Sequence, residues 1–181
     1  MGTATQQPST SGPVPDLSAV SWYAACTRPR HEKRVLQHLT DCRFESFLPL
    51  FQAVHRWKDR RKIVELPLFH GYVFVRISPQ ERVGVLQTPG VVRFVCFNGG
   101  PAALPDAQIE ALRSSYERGV KFEPHPLLKA GSRVRVQHGC LAGAEGVLVR
   151  RKHSLRFVLS LELLNRAVSV EVDSADIELL A

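Results

Sequence analysis

Two stretches concentrate side chains able to act on a charged partner. Arg28, Arg30, Lys33 and Arg34 crowd the approach to an apolar helical pattern, and HRWKDRRK (55–62) sets Arg56, Lys58, Arg60, Arg61 and Lys62 around Trp57. Cations beside a helix N-terminus suit phosphate, and a ring among cations can stack on a base. A third cluster, RRKHSLR, spans 150–156. Each could be no more than a solvated surface, but two on one short region of a chain with net charge +7 favour an anionic partner, nucleic acid before an acidic membrane surface. Chemistry of other kinds finds no support. The chain contains no GxSxG, HExxH, Walker or GxGxxG pattern. His31 and His38 share a helical face but lack a third ligand, and Cys26, Cys42, Cys96 and Cys140 form no CxxC and sit at no zinc spacing. The expectation is therefore a protein without catalytic residues, metal or cofactor. A binding surface remains, and LPLFHGYVFV (66–75) offers one, with Phe69, Tyr72 and Phe74 gathered around a glycine.

The elements that must position these groups follow from patterning. Residues 1–20 are rich in Ser, Thr, Gln, Gly and Pro and read as a disordered leader with no secretory signal. SWYAACT (21–27) reads as a buried strand. A helix is predicted from about Arg30 to Asp41, since Val35, Leu36 and Leu39 fall on one face. FESFLPLFQAVHRW and IVELPLF read as the limbs of a hairpin with the basic stretch at its tip. GYVFVRI alternates as a strand, with Val73 and Val75 inward and Tyr72 and Phe74 on the other side. PQERVGVLQ reads as a short helix, VVRFVCF as a strand, and DAQIEALRSSYERG as a helix capped by Asp106 and stopped by Gly119. The predicted order is β-α-β-β-β-α-β-α, an antiparallel-rich α+β domain over 21–119. A Pro-bearing linker over 120–128 leads to short alternating strands over 129–181, the pattern of a small all-β barrel. No apolar run is long enough to span a bilayer, and four scattered thiols suit a reducing compartment, so a cytoplasmic setting is expected.

The order and spacing of several segments resemble the NusG family of transcription elongation factors. These are WYAACTRPRHEKRVLQHL, PLFHGYVFV and TPGVVRFVCFNGGPAALPDAQIEAL in the first domain and AGSRVRVQHGCLAGAEGVLVRR, similar to a KOW motif in an SH3-like barrel, in the second. The resemblance implies a domain that grips the clamp helices of the RNA polymerase largest subunit through an apolar hollow. It also implies contact with upstream or non-template DNA, suppression of pausing or termination, and a tethered KOW domain that recruits Rho or a ribosomal protein. Carried over, the polymerase-binding residues are Phe69, Tyr72 and Phe74, with Tyr23 and Phe94 at the edge, while Trp22 reads as core. The nucleic-acid-binding residues are Arg28, Arg30, Arg34 and His38, with Arg56, Lys58, Arg60 and Arg61 on the hairpin. The family's FPGY stands here as Phe69-His70-Gly71-Tyr72, with His70 replacing a rigid proline. PLFHGYVFV and VVRFVCFNGGPAALPDAQIEAL look closer to the specialised RfaH and UpxY-like antiterminators of particular operons. The alternatives are a general NusG-type factor coupled to Rho or the ribosome, and an RNA- or ribosome-binding KOW module without a polymerase role. A monomer without membrane attachment is expected.

Overall fold

A strand buried on both sides organises the first unit. The computed structural model describes residues 19–56, 61–125, 131–151 and 154–180. In β1 (Ser21–Thr27), Trp22, Tyr23, Ala24 and Ala25 are all buried, so over these four residues neither face of the strand meets water, while Cys26 is half-buried. It pairs antiparallel with β5 (Tyr72–Ile77) on one side and with β6 (Val91–Phe94) and β9 (Ala103–Leu104) on the other. β2 (Glu45–Phe47) adds to the outer edge of β5.

Opposite faces of this sheet carry different cores. Helix α1 (Glu32–Asp41) buries Val35 and Leu39 in a cluster with Tyr23, Ala25, Val73, Val75 and Phe94, which Val85 of α2 (Arg82–Leu86) joins. The other face holds Trp22, Ala24, Phe47, Phe69 and Phe74 together with Ile109 and Leu112 of α3 (Asp106–Glu117). The period-2 alternation of β5 thus serves two cores rather than one core and a surface. Helix α1 begins two residues later than predicted, because Arg30 takes a left-handed backbone with φ of 63°. Asp106 is the first residue of α3 and not its cap; Pro105 holds the cap position, and the Asp106 carboxylate accepts from the Trp22 N–H at 3.3 Å. Gly119, with φ of 80°, follows the C-terminus of α3 as expected.

The predicted hairpin is present as β3 (Leu50–Arg56) and β4 (Arg61–Pro67), a two-stranded sheet of its own. Its first limb is shorter than expected, since the chain breaks between Phe47 and Leu50 and leaves β2 in the main sheet. VVRFVCF divides in the same way, with β7 (Cys96–Phe97) and β8 (Gly100–Pro101) folded about Asn98 and Gly99, both at positive φ.

The C-terminal unit is all-β. Its antiparallel order is β10 (Glu123–His125), β14 (Arg166–Val172), β13 (Ser154–Leu161), β12 (Glu145–Arg151), β11 (Ser132–Val136) and β15 (Ile177–Leu179). β10 lies within the stretch expected as a linker, and Arg156 clips it to the sheet by donating to Glu123 Oε2 at 2.5 Å. Phe157, Leu159, Leu161, Val168 and Val134 fill its core. Among the described residues no helix is long and apolar enough to cross a membrane.

Of the three glycines in GCLAGAEG (139–146), Gly139 and Gly143 adopt positive φ, while Gly146 serves close packing. A Cβ there would meet the Val158 carbonyl oxygen and lie 2.7 Å from the Phe157 ring. Overpacking of this kind typically costs about 1–3 kcal/mol. Gly146→Ala is expected to lower the melting temperature of the C-terminal unit, read by thermal denaturation. Gly139→Ala meets no neighbour within 4 Å and tests backbone strain alone.

Candidate docking face and basic edge

The stretch Phe69-His70-Gly71-Tyr72 is a tight turn leading into β5. Gly71 has φ of 83°, a conformation that favours glycine. Both of its backbone polar groups are held from elements distant in sequence. Its N–H donates to Glu32 Oε1 at 2.8 Å, and its carbonyl accepts from Thr27 N at 2.8 Å. The Tyr72 N–H closes the turn on the Phe69 carbonyl at 3.2 Å. Glu32 opens α1 and is 5% exposed, where the positive end of the helix dipole favours its carboxylate. Glu32 escaped sequence reasoning; its one signal, an acidic residue at a helix start, is too common to single it out. His70 points outward at the corner of the turn, its ring edge-on to Phe51 at 6.4 Å.

Phe69 leads inward. Its ring meets Phe74 edge-on at 5.3 Å, Phe74 stacks on Phe47 at 6.1 Å, and Phe47 meets Tyr116 of α3 edge-on at 5.8 Å. This chain of rings corrects the expectation of one shared exposed patch. Phe69 and Phe74 are 1% and 0% exposed, because each ring is covered by the next. Tyr23 and Phe94 are also buried, and they lie on the opposite face of the sheet, edge-on to each other at 6.0 Å within the α1 core. Of the five aromatic residues proposed for the hollow, only Tyr72 is part-exposed.

Directly opposite Tyr72 on β1 stands Cys26, and opposite Cys26 on β6 stands Arg93. Antiparallel partners present their side chains on the same face. Tyr72 and Cys26 are half-buried and Arg93 is exposed. Burial pushes the Cys26 thiol above its ordinary pKa, with the Arg93 charge pulling it down and Cys96 pushing it up. At the other end of β1, Trp22 fastens α3 to the sheet. Its indole N–H donates to Glu110 Oε1 at 2.8 Å, and the Arg113 guanidinium lies 5.8 Å from its ring centroid. Trp22 is fully buried, as expected.

The basic residues sit around α1. Arg28 and Arg30 are exposed on the loop before it, and the Arg28 N–H bonds to the Gly90 carbonyl at 2.9 Å. Arg34 is exposed and His38 half-exposed, one turn apart on the helix, so they share a side. Lys33 reaches Glu65 of β4 at 3.8 Å, linking α1 to the hairpin. Arg56 and Arg61 are backbone partners in the last described pair of that hairpin, while Lys58 and Arg60 lie outside the described residues. Among the described residues no three His, Cys, Asp or Glu side chains are grouped to hold a metal ion.

This arrangement defines a binding protein of two units, an α+β sheet domain with a basic edge joined to an all-β domain. A family profile described as "Transcription termination factor nusG" matches residues 20–113. The chain belongs to the NusG family; it is a transcription termination/antitermination factor of that type and not an enzyme. It is 28% identical over 149 residues to the "Transcription termination/antitermination protein NusG" of Escherichia coli K12, covering 79% of this chain and 82% of that one. To the protein of the same name from Pseudomonas aeruginosa it is 27% identical over 177 residues, covering 88% and 98%. The solved structure titled "Domain interaction in Thermotoga maritima NusG" superposes with a TM-score of 0.57 at 18% identity, covering 90% of this chain and 98% of that one, which supports the fold.

Two outcomes test the geometry. Glu32→Ala leaves the Gly71 N–H without its partner and is expected to cost about 1–3 kcal/mol in denaturant unfolding, with Glu32→Gln costing less because its amide oxygen can still accept. Iodoacetamide at pH 8 is expected to alkylate Cys42, which is exposed, well before Cys26, since a raised pKa leaves less thiolate; peptide mass spectrometry over time gives the order.

Proposed function

We propose that this protein docks on the clamp helices of the RNA polymerase largest subunit through the face that carries Tyr72, and that it suppresses pausing or termination. The observation that carries the reading is Tyr72 itself. It is a part-exposed aromatic set on a turn whose Gly71 is hydrogen-bonded on both sides, backed by the buried rings of Phe69, Phe74 and Phe47. A rigid aromatic on a fixed base gives contact area at low entropic cost, as interface anchors do. In this reading Phe69 and Phe74 hold the wall from beneath, and Tyr23 and Phe94 support the sheet from its far side.

The exposed Arg28, Arg30 and Arg34, with His38 beside Arg34, suit the upstream or non-template DNA strand, and the hairpin ending at Arg56 and Arg61 extends that edge. The all-β unit suits recruitment of a further factor, Rho or a ribosomal protein. Similarity of PLFHGYVFV and VVRFVCFNGGPAALPDAQIEAL to the specialised antiterminators supports action at particular operons in the bacterial cytoplasm. A general factor that enhances termination with Rho is the alternative.

Tyr72→Ala is expected to weaken binding to purified polymerase at least tenfold while thermal unfolding stays cooperative; unchanged binding by the folded variant would refute the docking reading. Transcription of a pausing template separates the functional readings, reduced pausing marking antitermination and added termination with Rho marking the general factor. Arg28→Ala with Arg34→Ala is expected to weaken DNA affinity and flatten its dependence on salt, by about one unit of slope for each phosphate no longer neutralised. An unchanged slope would remove this edge from the DNA interface.

A further inference from the structure

The face that carries Tyr72 also carries three guanidinium groups, and they are not equivalent. Arg76 and Arg113 are neutralised within the fold, both by Glu45, at 3.6 and 2.5 Å, and Arg113 also by Glu117 at 3.1 Å. Arg93 is different. It stands in register with Cys26, and Cys26 with Tyr72, so the three side chains form one row across β5, β1 and β6. Val95, two residues on, lies on the same side just beyond β6, where its N–H bonds to the Ala24 carbonyl at 2.9 Å. Arg93 is exposed, and among the described residues it forms no ion pair.

An unneutralised cation at the edge of an aromatic and apolar row selects for a surface that is apolar with an acid at its border. Apolar contact removes water from the neighbourhood of the charge, so a carboxylate placed there gains and any cation placed there loses. A nucleic-acid backbone matches the row poorly, since Tyr72, Cys26 and Val95 offer no further cations for successive phosphates. The cations suited to that role, Arg28 and Arg34, belong to the loop and helix that cover the opposite face.

We propose that Arg93 is a specificity-determining residue of the docking face, pairing with an Asp or Glu carboxylate on a helical segment of the partner protein whose apolar side rests on Tyr72 and Cys26. The inference rests on the docking reading above and adds to it the charge that the docked helix must carry.

The test uses the full chain and purified RNA polymerase core enzyme, with affinity measured at several salt concentrations. Arg93→Glu is expected to weaken binding about tenfold or more, Arg93→Lys to stay within a few-fold of the parent, and Arg93→Gln to flatten the salt dependence, which a purely structural role would leave unchanged. Arg93 is exposed, so all three variants are expected to melt like the parent. If Tyr72→Ala weakens binding while Arg93→Glu does not, the role of Arg93 is overturned and the docking reading stands. If both bind like the parent, the docking reading fails and this inference with it. If Arg93→Glu keeps its polymerase affinity and instead loses affinity for a DNA duplex, Arg93 belongs to the nucleic-acid edge and the proposal is wrong.

Discussion

Everything placed in the first unit takes its position from β1, a strand buried on both faces from Trp22 to Ala25. Because its pairing with β5 runs unbroken from Ser21 to Cys26, a slip of one position would exchange the two cores and expose Trp22 or Tyr23. The register is further pinned at the Trp22 end, where the indole, the backbone N–H and the ring face are engaged by Glu110, Asp106 and Arg113 of α3. The Cys26 end is pinned by the Thr27 N–H on Gly71 and the Arg28 N–H on Gly90. One end of the strand therefore anchors a helix, and the other anchors the turn that presents Tyr72.

That turn shows how a rigid feature can be built without proline. A proline before Gly71 would restrict the backbone by its own ring. Here His70 occupies that place and contributes a ring contact to Phe51, while the restriction comes from a buried carboxylate and a strand N–H gripping Gly71 from both sides. The conformation of the turn thus depends on the packing of α1, since Glu32 belongs to that helix. Loosening α1 would release Glu32 from Gly71 and with it the turn that carries Tyr72.

The two units are also less separate than a composition shift suggests. The stretch after α3 supplies Phe122 to an apolar cluster that takes in residues of both units, and then adds β10 to the edge of β14. Arg156, whose side chain is 17% exposed, holds this strand by Glu123. The short polar composition of 120–128 pointed to a spacer, yet three of its residues form an edge strand where a neighbouring strand has unpaired backbone groups.

Local pattern determined a great deal. Alternation marked β5 and the strands of the all-β unit, the spacing of Val35 and Leu39 marked α1, the basic stretch between two apolar limbs marked the hairpin, and Gly119 marked the end of α3. The order of these segments was enough to indicate the family. What local pattern could not decide was which aromatic residues share a face and which are covered. Phe69, Tyr72, Phe74, Tyr23 and Phe94 are alike in type, but exposure depends on what packs across the sheet, and α1 and α3 take opposite sides. The clamp made by Glu32 and the setting of Arg93 were equally invisible. A carboxylate becomes a clamp only when a distant glycine N–H is brought against it, and a cation becomes distinctive only when its neighbours in space, not in sequence, leave it without a partner. Sequence periodicity carries the elements because the backbone repeat is local; the site belongs to tertiary structure because burial and pairing are properties of residues brought together from far apart in the chain.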